Sequence, residues 1–269
     1  MPAQNDPEPN LDDDPGAFGA APRDVMHTDF KSRLYERYLA EQTGFTQETV
    51  QDAIRMRLPY LRRVIASCIP SNKSANILDL GCGYGSMLWA LRSVGYTSLV
   101  GVDVSPQQID AARRLGFEHV YCQDIVSFLS SAPDEKLSVI IAFDVLEHFT
   151  RPELFALMGE LRRVLEPGGR LIVHVPNGAA LSGGAVLYGD LSHELAFTER
   201  SLKQLASASS FKVIKVMEDA PVAHGAKSLV RSAIWFAGTL PFRLLALAEW
   251  PGAFSTPLSR NLLAVLERV

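Results

Sequence analysis

Residues 76–85, Asn-Ile-Leu-Asp-Leu-Gly-Cys-Gly-Tyr-Gly, constrain the fold more than any other stretch of the chain. Residues 77–80 have the composition of a short buried strand, and Gly81, Gly83 and Gly85 follow at alternate positions. An apolar pattern at helical spacing comes next. A strand, a glycine turn and a helix in this order begin a βαβ unit, in which a ligand can approach bare backbone. The stretch therefore predicts a nucleotide-type binding loop.

The rest of the chain repeats this alternation of strands and helices. Apolar runs predict strands at residues 76–80, 99–104, 119–122, 137–143, 170–175, 211–217 and 260–269. Helical patterns lie between several of them, at 106–115, 152–165 and 199–207. Such alternation is typical of a mostly parallel, doubly wound sheet. We predict an α/β, Rossmann-like fold with its core at 73–218 and its final strand at 260–269.

Two segments precede this core, and we predict that the first is disordered and the second helical. Residues 1–24 are rich in Pro and Asp and have few large apolar side chains, which predicts a disordered tail. Residues 25–72 are expected to form an N-terminal helical cap, either on the sheet edge or over the ligand. Its helices are predicted at 30–39 and 47–65, and Pro59 is expected to interrupt the second one.

The segment 219–259, between the last two strands, is too long for a hairpin and is expected to be an inserted helical lid. Its residues 228–250 are strongly apolar, but Arg231, Pro241 and Glu249 break the apolar runs. Because a spanning helix needs about 20 mostly apolar residues, we expect no integral membrane segment. The alternatives are a two-helix lid over the substrate, a homodimer contact, peripheral contact of an interfacial helix with a membrane, and contact with an apolar acceptor.

The composition argues against several classes of protein. A net charge of −4 and the lack of a strongly basic stretch give no electrostatic reason to expect nucleic acid as a partner. The cysteines Cys68, Cys82 and Cys122 are too few and too scattered for a disulfide framework or a zinc site. The first residues do not resemble a signal peptide, so we expect a cytoplasmic protein.

Acidic residues mark the ends of four consecutive predicted strands: Asp79, Asp103, Asp124 and Asp144. In a parallel sheet these ends lie at one edge, where ligands bind next to the point at which strand order reverses. Asp103 lies 22 residues after Gly81, near the spacing of about 20 expected for an acid that binds ribose hydroxyls. The carboxylates together predict a nucleoside site.

The glycine spacing favours a nucleoside without a pyrophosphate. A dinucleotide loop has the pattern Gly-x-Gly-x-x-Gly, whereas the third glycine here is Gly85 and the sixth position is Ser86. Carboxylates would also stabilise a cationic sulfonium, whereas a phosphate needs basic groups. A nicotinamide oxidoreductase is therefore disfavoured.

Several motifs in this chain resemble those of the class I S-adenosylmethionine-dependent methyltransferases. They are Leu78–Gly85, Gly101–Ser105 (Gly-Val-Asp-Val-Ser), Gln123–Ile125, Phe143–His148 (Phe-Asp-Val-Leu-Glu-His) and Leu165–Leu171 (Leu-Glu-Pro-Gly-Gly-Arg-Leu). The resemblance covers about residues 74–217 and implies S-adenosyl-L-methionine as the cofactor. It also implies a seven-stranded sheet whose antiparallel strand 7 is inserted between strands 5 and 6.

The same resemblance implies which residues contact the cofactor. The adenosine part would be held by Asp103 at the ribose hydroxyls, Val104 on the adenine, Asp124 at the adenine N6 and Ile125 against the ring. Asp79 would orient the glycine loop and the amino group. The methionine part would also be lined by Gly81, Cys82, Gly83, Asp144 and Leu146.

Two histidines are the predicted catalytic residues. The stretches 175–177 and 188–198 resemble the group of methyltransferases that act on the hydroxyls of sugars, quinones and small metabolites. Such an acceptor must lose a proton, and His148 and His193 could each remove it; the alternative for each is a purely structural role. His174, inside a strand, is expected to be structural. No metal is expected, although Glu147, His148, Asp190 and His193 could alternatively hold a divalent cation.

The predicted function is methyl transfer to a small-molecule acceptor, most simply the hydroxyl of a sugar, quinone-like or lipid-linked metabolite. An N-methyltransferase, which would need no strong base, is one alternative. A non-catalytic module that binds S-adenosylmethionine is the other.

Overall fold

A computed structural model of the chain describes residues 47–223, 225–249 and 253–269, together with Leu34. The predicted tail at 1–24 lies outside the described residues, as does the predicted helix at 30–39 apart from Leu34. Of the predicted N-terminal cap, the structure thus describes mainly the second helix.

The helices and strands follow one another along the chain largely as expected. The strands are β1 (Ile77–Leu80), β2 (Leu99–Asp103), β3 (Val120–Cys122), β4 (Leu137–Phe143), β5 (Leu165–Pro176), β6 (Phe211–Glu218) and β7 (Asn261–Arg268). The α-helices are α1 (Gln47–Cys68), α2 (Ser86–Ser93), α3 (Pro106–Arg114), α4 (Ile125–Ser131), α5 (Arg151–Val164), α6 (Gly183–Leu187), α7 (Glu199–Ala208) and α8 (Ala226–Glu249). Short 3-10 helices lie at Leu146–His148 and Ala253–Ser255.

The strands form one seven-stranded sheet in the order β3-β2-β1-β4-β5-β7-β6. β1 to β5 pair in parallel, whereas β7 is antiparallel to both β5 and β6. The predicted doubly wound sheet with an antiparallel strand between strands 5 and 6 is therefore confirmed. Strand order reverses between β1 and β4, so the carboxyl ends of β1 to β4 share one edge, here called the carboxyl edge.

Helices cover both faces of this sheet. Leu78 and Ile140 pack with α5 and α7 on one face, while Ile77 and Ile141 pack with α1 and α2 on the other. All four side chains are at most 1% exposed. Burial on both faces explains why the central strands read as apolar runs without polar alternation.

The expected break of α1 at Pro59 is wrong, because the helix continues through it. Proline removes one backbone hydrogen bond, which destabilises a helix interior. The turns on both sides are nevertheless fixed by packing: Val50 and Ile54 are buried against α3, and Leu61 and Val64 are buried against the sheet. Tertiary contacts therefore outweigh the local effect of the proline.

The segment between β6 and β7 is one helix, α8, with Pro241 inside it, and not the two helices considered as a lid. The turn after Pro241 is tied to the protein body, since the Arg243 guanidinium donates to Glu218 Oε1 at 2.6 Å and to the Phe254 carbonyl at 3.0 Å. These bonds anchor the second half of α8, and the helix continues through Pro241.

The predicted Pro/Gly turn before strand 5 is absorbed into β5. The pairing of β4 with β5 jumps from Leu137↔Leu165 to Val139↔Arg170, so that residues 166–169 bulge out of the ladder. Gly168 has a φ of 76° in this bulge, a conformation that other residues rarely adopt. The strand is therefore longer than the apolar pattern at 170–175 indicated.

Candidate active site

The glycine loop after β1 exposes its backbone at the carboxyl edge. Gly81, Gly83 and Gly85 have φ values of 65°, 52° and 84°, all in the left-handed region. A Cβ at Gly81 would lie 2.9 Å from Val145 Cγ2, in the segment that follows β4. The loop thus brings β1 and β4 close together and keeps side chains out of the space at their ends.

Cys82 lies in this loop with its side chain turned inward. It is 5% exposed, and a Cβ at Gly101 would lie 2.8 Å from its Sγ. Its N–H donates to the Val102 carbonyl at 3.0 Å. Burial raises the pKa of the thiol strongly, so it stays protonated. The side chain of Cys82 therefore fills the space between β1 and β2, and a contact with the methionine part of the cofactor would have to come from its backbone.

Asp79 is a buried carboxylate with an unsatisfied oxygen. Its side chain ends β1 below the glycine loop and is 2% exposed, and its Oδ2 has no hydrogen-bond partner among the residues that the structure describes. Burial, together with the nearby negative charge of Asp103, raises the pKa of Asp79 to about 8. A cationic group bound at the loop would supply the missing partner, which fits a sulfonium cofactor with an ammonium group.

Asp103 joins the end of β2 to the glycine loop. Its Oδ2 accepts from the Gly83 N–H at 2.9 Å, and its Oδ1 accepts from the Ser105 N–H at 2.8 Å. Burial raises the pKa of Asp103, and these two backbone bonds oppose the increase. A carboxylate has about four acceptor positions, so two remain for the hydroxyls of a ribose.

The expected adenine contacts lie side by side at the ends of β2 and β3. The Gln123 N–H donates to the Asp103 carbonyl at 3.1 Å, which holds the two strand ends together. Val104 is 40% exposed, Asp124 is exposed and Ile125 is half-buried. Asp124 Oδ1 also caps α4 by accepting from the Ser127 N–H at 2.9 Å. The sequence pattern did not indicate this helix.

Of the two residues expected on the methionine side after β4, Asp144 is exposed and Leu146 is buried. Asp144 follows β4 with a φ of 56°, and its side chain is 51% exposed at the carboxyl edge. Leu146 is 0% exposed and packs in the hydrophobic core. A contact of Leu146 with the cofactor would therefore have to come from its backbone.

His174 links Asp144 to a carboxylate that sequence reasoning missed. His174 Nδ1 lies 2.7 Å from Asp144 Oδ1, and its Nε2 lies 3.2 Å from Asp219 Oδ2. Burial alone would lower the pKa of His174, but the two carboxylates raise it to about 10, so the imidazolium is retained. Asp219 directly follows β6, and the pattern of acids at strand ends could have revealed it.

A second group of polar side chains lies beside Asp144, here called the histidine cluster: Glu147, His148, Asp190, Ser192 and His193. The 3-10 helix after β4 carries its first two members, and the loop after α6 carries the other three. The rings of His148 and His193 meet edge to face with centroids 4.9 Å apart. One ligating atom each from Glu147, His148 and His193 lies within 4.8 Å of the others.

Hydrogen bonds in the histidine cluster fix where its protons lie. Ser192 Oγ donates to Asp190 Oδ1 at 2.6 Å and therefore accepts from His148 Nδ1 at 2.9 Å. His193 Nδ1 lies 3.1 Å from the Val186 carbonyl, so this nitrogen also carries a proton. In the neutral form of each ring, the lone pair is then on Nε2.

The electrostatics of the cluster keep His148 neutral and shift the pKa values of Glu147 and Asp190 in opposite directions. Burial and the neighbouring His193 lower the pKa of His148 below 6.5. Glu147 is 1% exposed, neither of its oxygens has a hydrogen-bond partner in the described part of the chain, and burial raises its pKa to about 8. Bonds from Ser192 lower the pKa of Asp190 despite its partial burial. The cluster can therefore accept a proton near neutral pH.

Comparisons with known proteins agree with this arrangement. Residues 52–216 match a family described as a methyltransferase domain. A ubiquinone biosynthesis O-methyltransferase of Bradyrhizobium sp. (strain ORS 278) is 30% identical over 45% of this chain and 51% of its own length. A tRNA N(3)-cytidine methyltransferase of Gallus gallus is 24% identical over 55% of this chain and 46% of its own. The chain thus spans about half the length of these curated relatives.

The solved structures show the same fold. A SAM-dependent methyltransferase from Archaeoglobus fulgidus superposes with a TM-score of 0.55 at 18% identity, covering 88% of this chain and 99% of that one. The family match extends over more than half of the 269 residues. It contains β1 to β5, the acids at the ends of the first four strands and the histidine cluster. The chain therefore belongs to the methyltransferase domain family, whose cofactor is S-adenosyl-L-methionine, and it has the fold of the solved SAM-dependent methyltransferases.

Proposed function

We propose that the protein transfers a methyl group to a hydroxyl of a small-molecule acceptor, such as a sugar, a quinone-like compound or a lipid-linked metabolite. One observation carries this proposal: the Asp190–Ser192–His148 chain of hydrogen bonds holds a neutral imidazole near Asp144, with its proton on Nδ1. A hydroxyl needs a positioned base to remove its proton, whereas the nitrogen of a neutral amine attacks through its own lone pair and can lose its proton to water afterwards. A hydrogen-bonded neutral histidine is suited to that task.

The residues at the carboxyl edge divide between holding the cofactor and handling the acceptor. Bound S-adenosyl-L-methionine supplies an activated methyl group on a sulfonium that is already a good leaving group. We assign Asp103, Val104, Asp124 and Ile125 to its adenosine part. We assign Asp79, Asp144 and the backbone of Gly81–Gly83 to its methionine part. Positioning of the acceptor against the methyl group then provides most of the remaining rate enhancement.

His148 and His193 are the proposed catalytic residues. His148 Nε2 takes the hydroxyl proton while Ser192 and Asp190 hold the ring and stabilise the imidazolium that forms. His193, 4.9 Å away between ring centroids, orients the acceptor hydroxyl or takes the proton in turn. Glu147, which is buried next to both histidines, is mostly protonated at neutral pH because its pKa is about 8.

The relatives support methyl transfer in general more than any single acceptor, because one is named as an O-methyltransferase and another as a tRNA methyltransferase. The net charge of −4 favours a small molecule over RNA, since phosphate binding requires a basic surface. A cytoplasmic location remains part of this proposal.

The test is a methyl-transfer assay with purified full-length protein and a panel of acceptors, here a catechol, a hydroxyquinone, a hexose and a primary amine. With the best hydroxyl acceptor, we expect His148→Ala to lower kcat by about 100-fold or more, while the affinity for the cofactor stays unchanged. We expect His193→Ala to lower it less. His119→Ala is the matched control, because His119 is exposed at the opposite end of the strands.

Each rival function predicts a different result. Turnover of the amine alone, unaffected by His148→Ala, would indicate an N-methyltransferase. Cofactor binding without turnover of any acceptor would support a non-catalytic module. Activity that chelation abolishes and a divalent cation restores would show that Glu147, His148 and His193 act as metal ligands and not as bases.

A further inference from the structure

Helix α8 presents apolar side chains outward and polar ones inward. Leu229, Ile234, Phe236, Leu244 and Leu245 are each between 53% and 66% exposed. By contrast, the buried residues of the helix are Ser228, Ser232 and Thr239. A surface helix normally has the reverse arrangement, with its apolar stripe towards the core. Among the residues that the structure describes, none covers this apolar face of α8.

The side of α8 that touches the protein is narrow and fixed by polar contacts. Ser232 Oγ donates to the Pro221 carbonyl at 3.1 Å, and Arg243 is bound to Glu218 and to the Phe254 carbonyl. At about 100° per residue, the side chains that face the protein span about 80° of the helix circumference. The exposed apolar side chains span about 240° of it. Most of the helix surface is thus apolar and open.

The width of this apolar arc distinguishes between classes of partner. A second protein surface, or a second copy of this chain, covers one side of a helix and would leave part of a 240° arc in water. A lipid surface can surround a helix on every side except the one attached to the protein. Exposed apolar patches of this extent mark sites of protein or membrane contact, and the geometry here favours the membrane.

The charges along α8 indicate which kind of lipid surface fits. Lys227 and Arg231 are exposed on its first turns, and no acidic residue occurs between residues 226 and 248. The positive charge of Arg243 is balanced by Glu218 at 2.6 Å. Basic residues that flank an apolar helix are attracted by anionic lipid headgroups. Across the described residues, none of the helices has the length and apolar content needed to cross a bilayer.

We propose that α8 binds the surface of an anionic phospholipid bilayer, with its apolar arc inserted at the level of the headgroups and the first acyl carbons. Lys227 and Arg231 contact the lipid phosphates, and the stripe of Ser228, Ser232 and Thr239 remains on the protein. The helix lies in the plane of the interface, about 5–10 Å deep. The inference does not depend on the nature of the methyl acceptor.

Flotation of the full-length protein with vesicles tests this proposal. We expect the protein to float with vesicles of phosphatidylcholine and phosphatidylglycerol at 7:3, and to float less with phosphatidylcholine alone. The double variant Ile234→Glu/Leu245→Glu should reduce the bound fraction at least about tenfold, because two charges would enter the apolar interface. Lys227→Gln and Arg231→Gln should each reduce anionic binding about fivefold.

The control variant is Phe155→Glu, since Phe155 is 50% exposed on α5 and should leave vesicle binding unchanged. Equal thermal stabilisation by S-adenosylmethionine in all variants confirms that each one is folded. The proposal is overturned if the wild-type protein does not float with anionic vesicles, or if Ile234→Glu/Leu245→Glu floats as well as the wild type. A dimer in light scattering that Ile234→Glu/Leu245→Glu dissociates, together with no flotation, would assign the face to a second copy.

Discussion

At the scale of single residues, Asp79 combines a cost to stability with a role in binding. Its carboxyl is buried and its pKa is about 8, against 3.8 for an ordinary aspartate. Because the folded-state pKa lies above the unfolded one, the stability of the ligand-free protein falls as pH rises from about 4 towards 8. A bound cation would relieve this penalty. The residue is thus suited to the loaded enzyme and unfavourable in the free one.

We therefore expect Asp79→Asn to separate stability from binding. The amide has the same shape but no charge, so at pH 9 the unfolding midpoint of the ligand-free variant should be at least as high as that of the wild type. The affinity for S-adenosylmethionine should fall about tenfold, since a hydrogen bond to a charged partner is lost. Urea unfolding and calorimetry measure the two effects. A variant that binds the cofactor with unchanged affinity would remove Asp79 from the site.

Sequence reasoning found the acids at the strand ends because their spacing follows from a parallel sheet. It could not find the hydrogen bonds that set the protons of the histidine cluster. Ser192 and His148 are 44 residues apart, and their contact depends on how the loop after α6 folds back over β4. For His174, the expectation of a purely structural residue missed its partner Asp219, an acid that directly follows β6 in the same way as the other acids follow their strands.

At the scale of the helices and strands, His174 fastens three strand ends together. β4 contributes Asp144, β5 contributes the imidazole and β6 leads into Asp219. The folded-state pKa of about 10 lies above the ordinary value of 6.5. Stabilisation by His174 is therefore complete below pH 6.5 and is lost as pH rises through about 10.

We expect His174→Gln to lower the free energy of unfolding by about 3 kcal/mol at pH 7, because two carboxylates lose their common cation. The difference between wild type and variant should shrink as pH approaches 10, which urea unfolding at pH 7, 8.5 and 10 would measure. Using the difference cancels the ionisation of Asp79, whose pKa His174 does not influence. A difference that stays constant with pH would contradict a charged His174.

The two helices that contain prolines show the limit of local rules. Pro59 and Pro241 both predict a helix end, since each removes a backbone hydrogen bond. Both helices continue through their prolines: in α1 the neighbours on either side are buried, and in α8 the Arg243–Glu218 pair anchors the turn after Pro241. Neither set of contacts is visible in a local window of sequence. The expected number of helices was therefore too high between β6 and β7.

At the scale of the whole molecule, the fold was the most predictable property. The glycine loop, the apolar strands and the turn signals repeat in one direction along the chain, and each local preference agrees with the same sheet. The position of β7 between β5 and β6 came from family resemblance, because an apolar strand pattern does not specify its neighbours. The acceptor could not be predicted, since the segments expected to surround it carry only a general apolar signal.

We expect the cofactor to stabilise the whole protein. At about 100 times its Kd, a ligand that binds only the folded state adds about 2.7 kcal/mol. For a chain of this size that corresponds to a rise in Tm of about 5–10 °C. Differential scanning fluorimetry with S-adenosylmethionine measures the rise, and NAD at the same concentration serves as the control. Equal shifts with both nucleotides would contradict a site specific for a sulfonium.

The insertion of β7 between β5 and β6 also determines when the sheet can be completed. β6 pairs only with β7 within the described sheet, so it has no place in the ladder until residues 261–268 have been synthesised. During translation, β6 and the apolar α8 leave the ribosome before the strand that fixes them. Until β7 is added, the strand lacks its partner and the helix lacks the sheet edge beside it, and such exposed strand edges and apolar surfaces make incompletely folded chains prone to aggregation.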